Sequence, residues 1–343
     1  MNGQEVILGG WVEDLRKMGK MTFLTLRDVT GITQIILTDD VMKSTNDISR
    51  QSVVRVTGKI QDTRARDFEC EIKADEIKEL AHAGHLLPID PIGRQESHID
   101  NRLNSRALDM RNQKTASIFK IRHHVLASLR ETLENEKFWE ITTPKIIGSA
   151  SEGGANLFSL KYFGKQAYLA QSPQLYKEQM TIGLERVFEI ASFYRAEKSH
   201  TGRHLSEFTS VDVEAAFMDY TDVMNVLEDL ILNTFKYVSE KCKVEQKIIG
   251  NKITAPDKPF KKITYSEALE ELNQKDAKLE FGDDLLDSHL RIIGENHPGF
   301  YFITDWPIKL KPFYIMEKED TPEISESFDL QFGYLELSSG GSR

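Results

Sequence analysis

Short runs of alternating apolar and polar residues, rich in β-branched and aromatic side chains, dominate the first 80 positions of the chain. Turn signals separate five such runs, which are Val6–Val12, Met21–Arg27, Ile32–Leu37, Ser52–Ile60 and Glu69–Ala74. A period of two is typical of half-buried strands, and five of them in roughly 75 residues are enough to close a small barrel. The pattern therefore predicts a five-stranded β-barrel at the N-terminus.

The pattern changes between residues 81 and 111, where Pro88, Pro91 and Gly93 raise the density of helix and strand breakers. Such a composition is typical of a linker. Beyond it, apolar residues recur at helical spacing over residues 117–137 and again over residues 221–241. This spacing predicts two amphipathic helices in a second domain, so the chain combines separate helical and strand segments.

Between the two helices lie two β-rich runs, Val187–Glu197 and Phe208–Glu214. The residues that separate them include Gly202 and several ionisable side chains, so we expect an antiparallel hairpin with a charged loop suited to a polyphosphate. A period of two places Glu189, Arg195 and Glu197 on one face of the first strand, with Asp212 and Glu214 together on the second. Taken alone, such a face is usually exposed and carries only weak salt bridges.

Composition narrows the class of protein without deciding its function. The 343 residues carry a formal net charge of -10 and are 40% hydrophobic, as expected of a globular protein with two or three domains. We find no apolar run near twenty residues and no signal-like N-terminus, so we expect a cytoplasmic protein with no membrane partner. The acidic charge argues against indiscriminate polyanion binding, but a shaped nucleic-acid site stays possible. Cys70 and Cys242 lack metal-type spacing, and we expect free thiols.

The segment Phe193–Glu197, followed by Arg203–Phe208, resembles motif 2 of the class II aminoacyl-tRNA synthetases, in the subgroup that charges aspartate, asparagine and lysine. The predicted helix over 117–137 and the run that follows it resemble motif 1. The proline of motif 1 lies at a two-fold interface in that family, so the resemblance implies a homodimer with Pro144 at its interface. Proline at a strand edge also agrees with ordinary strand chemistry.

The first barrel residues, Gly10–Arg16 with Phe23–Asp28 and Gly31–Gln34, resemble the anticodon-binding domain of the same subgroup. The resemblance implies an α+β protein: an OB-fold barrel over 1–80, a hinge over 81–111 that contacts the tRNA backbone, and a class II catalytic domain over 112–343. That catalytic domain is expected to be an antiparallel sheet flanked by helices, with a variable insertion at about 245–300 that serves as scaffold or surface.

Anticodon recognition needs aromatic faces for stacking and amide or carboxylate groups for base edges. The resemblance implies that Phe23, Gln34 and Glu69 supply them. Taken alone, Phe23 is more simply a core aromatic residue. This assignment therefore depends on the resemblance.

The segment Gln171–Lys177 resembles the substrate-binding segment of the aspartate-specific branch, in which Pro173 and Lys177 differ from the asparagine-specific pattern. The resemblance implies that Lys177 pairs with the side-chain carboxylate of aspartate, and that Gln174 orients its ammonium or α-carboxylate. Glu152 lies in a Gly-rich loop that is expected to close over the ammonium group. A lysine taken blind is a solvated surface residue.

The C-terminal run, residues 328–343, completes the resemblance. Glu336 stands where the family places a magnesium ligand, Ser339 where it contacts Mg2+ and substrate, and Arg343 where a guanidinium grips the aspartate carboxylate. Related enzymes continue with motif 3. Because a chain that ends on Arg343 lacks the strand and helix that close the sheet, we expect a fragment of a longer enzyme rather than a degenerate relative.

The implied reaction joins L-aspartate to ATP, giving aspartyl-adenylate and pyrophosphate, and then transfers aspartate to the terminal ribose of tRNA(Asp). The attacking carboxylate is already ionised, so positioning and charge neutralisation carry the first step. The implied ATP contacts are Arg195 at the α-phosphate and the substrate, Glu197 at adenine or ribose, Arg203 and His204 at the outer phosphates, Leu205, and Glu336 with Mg2+.

Three alternatives stay open. An asparaginyl enzyme is disfavoured by Pro173 and Lys177, and a related asparagine synthetase is disfavoured by the barrel over residues 6–80. A tRNA-binding paralogue without catalysis is disfavoured by the retention of the substrate residues. Whether tRNA(Asn) is also charged depends on barrel-loop geometry that the sequence does not specify.

Overall fold

The computed structural model describes residues 2–343 except 44–47, 64, 66–67, 85, 150–156 and 197–204. Two compact units divide the chain, Met1–Ala116 and Ser117–Arg343. Among the helices that the structure describes, none is both long and apolar enough to cross a membrane. Cys70 and Cys242 are free thiols, as predicted.

The N-terminal unit contains a closed five-stranded barrel with the strand order β1-β2-β3-β5-β4. Its elements are β1 (Glu5–Met18), β2 (Met21–Arg27), β3 (Ile32–Thr38), the short helix α1 (Asp39–Lys43), β4 (Val53–Gln61) and β5 (Glu71–Ala81). Successive side chains of a strand point to opposite faces, so one face of each barrel strand points inward. The inward side chains form one buried cluster, which includes Val12, Leu24, Ile35, Val54 and Ile72. The predicted OB-fold barrel is confirmed.

Strand β1 is longer than the sequence pattern suggests, because its pairing with β2 shifts register between Val12 and Asp14. A bulge of this kind interrupts the period of two, so the alternating pattern ends at the bulge although the strand continues beyond it. Gly10 lies next to this point. A Cβ atom there would lie 2.5 Å from the carbonyl oxygen of Arg27, so only glycine lets the two backbones approach so closely.

The predicted linker contains two short helices, α2 (Ile99–Asn104) and α3 (Arg106–Asp109). The carboxylate of Asp109 is buried and accepts a hydrogen bond from Arg102 Nε at 2.8 Å and another from Arg106. A buried carboxylate requires such partners, so the two arginines fix the turn between the helices.

The described part of the second unit contains three small sheets and the helices that cover them. Its elements, starting with the helix that spans the boundary, are α4 (Gln113–Asn135), β6 (Trp139–Glu140), β7 (Ile146–Ile147), β8 (Ser159–Tyr162), β9 (Lys165–Leu169), α5 (Gln174–Leu184), β10 (Arg186–Tyr194), β11 (Glu207–Ala215), α6 (Tyr220–Lys241), α7 (Lys243–Ile249), β12 (Lys261–Thr264), α8 (Tyr265–Asn273), α9 (Asp287–Asn296), β13 (Phe300–Thr304), a 3-10 turn (Ile308–Leu310), β14 (Ser327–Phe332) and β15 (Leu335–Gly341). The sheet orders are β11-β10-β6, β7-β9-β8 and β12-β13-β14-β15.

The predicted hairpin is confirmed as the antiparallel pair β10–β11, in which Glu189 lies opposite Asp212 and Phe193 opposite Phe208. One face of this pair packs against α4 and α6, through a cluster that includes Leu133, Phe188 and Leu230. The opposite face carries the charged residues and contacts α5.

The two long helices of this unit, α4 and α6, are the ones that the apolar spacing over residues 117–137 and 221–241 predicts.

Residues 245–300, which the resemblance predicts to be scaffold or surface, form α8, α9 and the strand β12. These elements bury a second core around Tyr265, Leu272, Ile303 and Trp306. The α+β class is confirmed, but the sheets are mixed rather than purely antiparallel, because β6 runs parallel to β10 and β12 parallel to β13.

Candidate active site

Lys177 lies on the face of α5 that packs against β10 and β11, and only 7% of the residue is exposed. Its Nζ atom lies 3.4 Å from Asp212 Oδ1 and 3.5 Å from Glu214 Oε2, and it donates to the carbonyl oxygen of Val213 at 3.3 Å. A buried ammonium must be paired, and these oxygens supply the pairing. The burial excludes the interpretation of Lys177 as a solvated surface lysine.

Arg343 reaches the same acidic cluster from the end of β15. Its Nε atom lies 3.3 Å from Glu214 Oε1 and 3.3 Å from Glu178 Oε1, and its guanidinium stacks 4.9 Å from the ring of Tyr314. Glu214 therefore lies between Lys177 and Arg343. Two cations from distant parts of the chain share one carboxylate.

Gln174 joins the network one turn of α5 before Glu178, because its Nε2 atom donates to Glu178 Oε1 at 2.6 Å. Its side chain is almost fully buried. On the other side, Ser210 Oγ donates to Asp212 Oδ2 at 2.6 Å and so fixes the carboxylate that faces Lys177. The structure thus brings together three of the predicted substrate residues, Gln174, Lys177 and Arg343.

Sequence reasoning assigned no role to the carboxylates that connect these residues. Their alternation with apolar residues predicts Asp212 and Glu214 on the polar face of β11, and this alternation is the signal that points to them. Glu178 carried the weaker signal of standing four residues after Gln174, the spacing of neighbours on a helix face. What no pattern indicated is that Glu214 contacts both cations.

Lys177 and Arg343 are candidates to bind a substrate carboxylate in addition to the three carboxylates of Asp212, Glu214 and Glu178. The contacts of Lys177 and Arg343 to Asp212 and Glu214 are 3.3–3.5 Å long, which is longer than the roughly 2.7–2.9 Å of charge-assisted hydrogen bonds. The ammonium of Lys177 has three donors and faces three oxygens, so a ligand oxygen would have to replace one of these long contacts. The guanidinium of Arg343 has five N–H donors and keeps some of them for a ligand. A planar guanidinium can bind both oxygens of a carboxylate at once.

Glu189 lies on the same face of β10 and is 2% exposed. Its carboxylate accepts hydrogen bonds from the backbone N of Thr143 at 2.9 Å, from Thr143 Oγ1 at 2.7 Å and from Lys145 Nζ at 2.7 Å. These bonds hold both neighbours of Pro144, which is itself exposed. Glu189 therefore anchors the motif 1 segment to the motif 2 strand.

Arg195 directly follows β10, where its backbone N donates to the carbonyl oxygen of Ser206 at 3.0 Å. Its guanidinium carbon lies 5.3 Å from the centre of the Phe208 ring, which supports the side chain by a cation–π contact. Leu205 is 67% exposed. Four predicted residues, Glu152, Glu197, Arg203 and His204, lie outside the described residues.

The pairing of β14 with β15 places Glu336 and Ser339 on one face of the sheet. Three positions apart, they would point to opposite faces of a regular strand. The register shifts here, so that Glu336 pairs with Gln331 while Ser339 pairs with Asp329, and Leu337 is the extra residue. Both side chains are exposed. Exposed carboxylate and hydroxyl oxygens on one face fit Mg2+, which prefers hard oxygen ligands and shares them with phosphates.

In the barrel, Phe23 points outward between the buried residues Thr22 and Leu24 and is half-buried. Gln34 Nε2 donates to Glu71 Oε2 at 2.9 Å, and the same carboxylate accepts from Gln61 and Thr63. The exposed Glu69 precedes β5. The carboxylate that holds the amide of Gln34 is therefore that of Glu71, a residue to which the sequence assigns no role.

Comparison with known proteins agrees with this architecture. The family model of class II tRNA synthetases (D, K and N) matches residues 98–343, and that of the OB-fold nucleic acid binding domain matches residues 6–80. The aspartate–tRNA(Asp/Asn) ligase of Archaeoglobus fulgidus is 44% identical over all of this chain and 81% of its own length. The ligase of the same name from Sulfurisphaera tokodaii is 45% identical, over all of this chain and 80% of its own length.

Solved structures give the same result. The asparaginyl-tRNA synthetase of Pyrococcus horikoshii, complexed with asparaginyl-adenylate, superposes with a TM-score of 0.88 and 31% identity, over 96% of this chain and 77% of that one. The aspartyl-tRNA synthetase of Entamoeba histolytica gives a TM-score of 0.85 with 28% identity, over 99% of this chain and 76% of that one. The chain therefore belongs to the class II tRNA synthetases of the D, K and N type, with an OB-fold anticodon-binding domain at its N-terminus.

Proposed function

We propose that the protein is an aspartate–tRNA ligase, which activates L-aspartate with ATP to aspartyl-adenylate and transfers the aspartyl group to tRNA(Asp). The observation that carries this proposal is the pair of cations, Lys177 and Arg343, held around the shared carboxylate of Glu214. The names of the relatives that match the whole chain support the same activity.

The two cations favour aspartate over asparagine. A substrate side-chain carboxylate accepts charge-assisted hydrogen bonds from Lys177 and Arg343. The NH2 group of a neutral carboxamide is itself a donor, so it cannot accept a hydrogen bond from either residue. Asp212 and Glu214 hold the cations in place in the absence of substrate. Selection therefore depends on charge and on the hydrogen-bond pattern.

For the first step, the chain supplies positioning rather than a base, because the α-carboxylate that attacks is already ionised. Glu152 is proposed to face the ammonium of aspartate, and Gln174 to orient its ammonium or its carboxylate. Arg195 is proposed to neutralise the α-phosphate, with Glu197, Arg203, His204 and Leu205 contacting the rest of ATP. Glu336 and Ser339 would hold Mg2+, which neutralises phosphate charge when it is bound.

For tRNA, we propose that the barrel reads the anticodon with Phe23, Gln34 and Glu69, and that Glu71 fixes the amide of Gln34. The hydrogen bond between Gln34 and Glu71 supports this, because it determines which amide edge faces a base. An outward, half-buried Phe23 is suited to stacking. Aminoacylation of transcribed tRNA(Asp) and tRNA(Asn) in parallel tests which anticodons are accepted.

We also propose that the enzyme is a homodimer joined through the motif 1 segment. Trp139 is 64% exposed and Ile146 is 47% exposed, on either side of the exposed Pro144. Apolar side chains grouped in this way are typical of an interface. A second copy that covers them would remove this apolar surface from water.

The decisive variant is Lys177→Leu, with Lys165→Leu, an exposed lysine of the same unit, as its control. We expect Lys177→Leu to lower aspartate-dependent exchange of pyrophosphate into ATP about 100-fold or more, because a buried partner of a substrate charge is lost. Binding of tRNA should stay within about twofold, since the ammonium pairs only with the amino acid. Equal loss of exchange and tRNA binding, or unchanged exchange, would contradict the assigned role.

A further inference from the structure

The C-terminal end of α6 and the helix α7 form a lysine-rich surface on a chain that is acidic as a whole. Residues 236–252 carry five lysines and two glutamates, while the protein has a formal net charge of -10. An open groove of about 700 Å3 lies along this surface, between α6, α7 and the segment 250–255. Its volume is sufficient for several phosphate-sized groups, so its charges and walls decide what it can bind.

The groove has fixed walls because a buried side chain, Gln246, holds them together. Its Nε2 atom donates to the carbonyl oxygens of Val238 at 3.3 Å and Ser239 at 3.1 Å, both at the end of α6. Its Oε1 atom accepts from the backbone N of Ile253 at 2.8 Å. One side chain therefore ties α6, α7 and the following segment into a single concave surface.

Three lysines line the groove: Lys243 and Lys247, one helical turn apart on α7, and Lys252 opposite them. All three are exposed, and none forms an ion pair with another residue in the part of the chain that the structure describes. Glu240 is the acidic residue that lines the groove with them. Glu245, the other glutamate of this segment, is already paired with Lys120 of α4, at 3.6 Å.

We propose that this α6–α7 groove binds the phosphate backbone of the tRNA substrate, a contact separate from anticodon reading and amino-acid activation. The inference rests on the proposed ligase function for the identity of its ligand. Three lysines against one glutamate give a local positive charge, and lysine ammonium groups bind phosphates as point charges without sequence preference. A concave groove accommodates a polynucleotide backbone better than the flat surface of a membrane.

The test compares two double variants, each of which removes two exposed lysines that form no ion pair with any described residue. Lys243→Gln with Lys247→Gln changes the groove, and Lys262→Gln with Lys309→Gln changes the same net charge elsewhere in the unit. Binding of fluorescein-labelled, transcribed tRNA(Asp) is measured by anisotropy at several salt concentrations. For the groove variant we expect an affinity about tenfold lower, and a slope of log K against log salt reduced by about 2, because each phosphate contact contributes roughly one unit.

The control variant should bind tRNA like the wild type, and both variants should keep full aspartate-dependent pyrophosphate exchange, which needs no tRNA. Equal affinity and equal slope for the groove variant would overturn the proposal while leaving the ligase function intact. Unchanged tRNA binding with lost binding to phosphatidylserine vesicles would replace it with a membrane contact. Absence of exchange in the wild type would instead count against the ligase function, since exchange does not involve the groove.

Discussion

At the scale of single residues, burial decides which charges matter. Glu189 and Glu140 both pair with a cation, but Glu189 is 2% exposed whereas the side chain of Glu140 is 39% exposed. Removing one member of a buried ion pair leaves the other charge without a partner in the protein interior, where water cannot solvate it. The partner of an exposed pair is instead hydrated.

We therefore expect Glu189→Ala to lower the free energy of unfolding by about 3 kcal/mol, because it removes the acceptor for Thr143 and Lys145. Glu140→Ala, the control, should cost less than about 1 kcal/mol. Urea unfolding followed by circular dichroism measures both. Similar small losses in the two variants would contradict the anchoring role of Glu189.

Motif 2 and the segment around Lys177 were readable from the sequence because their residue types recur in a fixed order. The segment around Lys177 identified Gln174 and Lys177, and the C-terminal run identified Arg343; the fold brings the three residues into one network. It did not identify Glu214 as their shared partner, since 129 positions separate it from Arg343 and only the folded chain joins them. The contact between Gln34 and Glu71 was missed for a similar reason, because it depends on the register of β3 and β5.

At the scale of elements, the N-terminus of α6 is stabilised by local side-chain hydrogen bonds. Asp219 caps α6 by accepting from the backbone N of Thr221 at 2.7 Å and of Asp222 at 2.9 Å. The side chain of Asp222 returns a bond to the backbone N of Asp219, which completes a capping box.

Because this cap satisfies two otherwise unpaired N–H groups, Asp219→Ala should lower the free energy of unfolding by about 1 kcal/mol. Thr221→Ala, an exposed change in the same turn, should have a much smaller effect. Thermal melts of the two variants provide the comparison. A larger loss for Thr221→Ala than for Asp219→Ala would contradict the capping assignment.

Residues 261–301 contain a charged cluster with a predictable response to pH. Burial tends to raise the pKa of Glu271, but hydrogen bonds from Asn296 and His297, together with the charges of His297 and Lys261, outweigh it and lower that pKa below its ordinary value of 4.5. Tyr301 also packs against His297, at 5.0 Å between ring centres. The cluster thus stabilises the ionised form of Glu271.

A carboxyl group whose pKa is lower in the folded protein binds fewer protons there than in the unfolded chain. Its stabilising contribution is present above the unfolded pKa and is lost as pH falls through the folded pKa. We expect the unfolding free energy of the protein to decline below about pH 4.5, and Glu271→Gln to reduce that decline. Glu270→Gln is the neighbouring control, and an unchanged slope for Glu271→Gln would contradict this assignment.

The two long helices and most of the barrel could be predicted because each repeats its period several times. Residues 245–300 could not, because α8 and α9 have 9 and 10 residues and β12 has 4, which is too few repeats for a period to emerge. The bulges in β1 and β15 were missed for a related reason. Each one breaks the alternation that identifies a strand.

At the scale of the whole molecule, the chain covers about four-fifths of the length of the relatives that it matches. The apolar surface on the motif 1 segment leads to a prediction about assembly. If Trp139 and Ile146 lie at the proposed homodimer interface, light scattering after gel filtration should give twice the chain mass of 39.2 kDa.

Trp139→Glu should then shift the measured mass to that of a single chain, because a carboxylate would be buried without a partner. Phe313→Glu is a suitable control, since Phe313 is exposed at 82% in another part of the same unit. A single-chain mass for the unmodified protein would contradict the proposed homodimer.

The measurement that tests the proposed function most directly is amino-acid-dependent exchange of labelled pyrophosphate into ATP, with aspartate, asparagine and lysine compared in parallel. The proposed role of Lys177 and Arg343 in binding the side-chain carboxylate predicts exchange with aspartate, and little or none with asparagine or lysine. Exchange with asparagine in place of aspartate would contradict the assigned specificity. Silence with all three amino acids, while tRNA is still bound, would contradict catalysis itself.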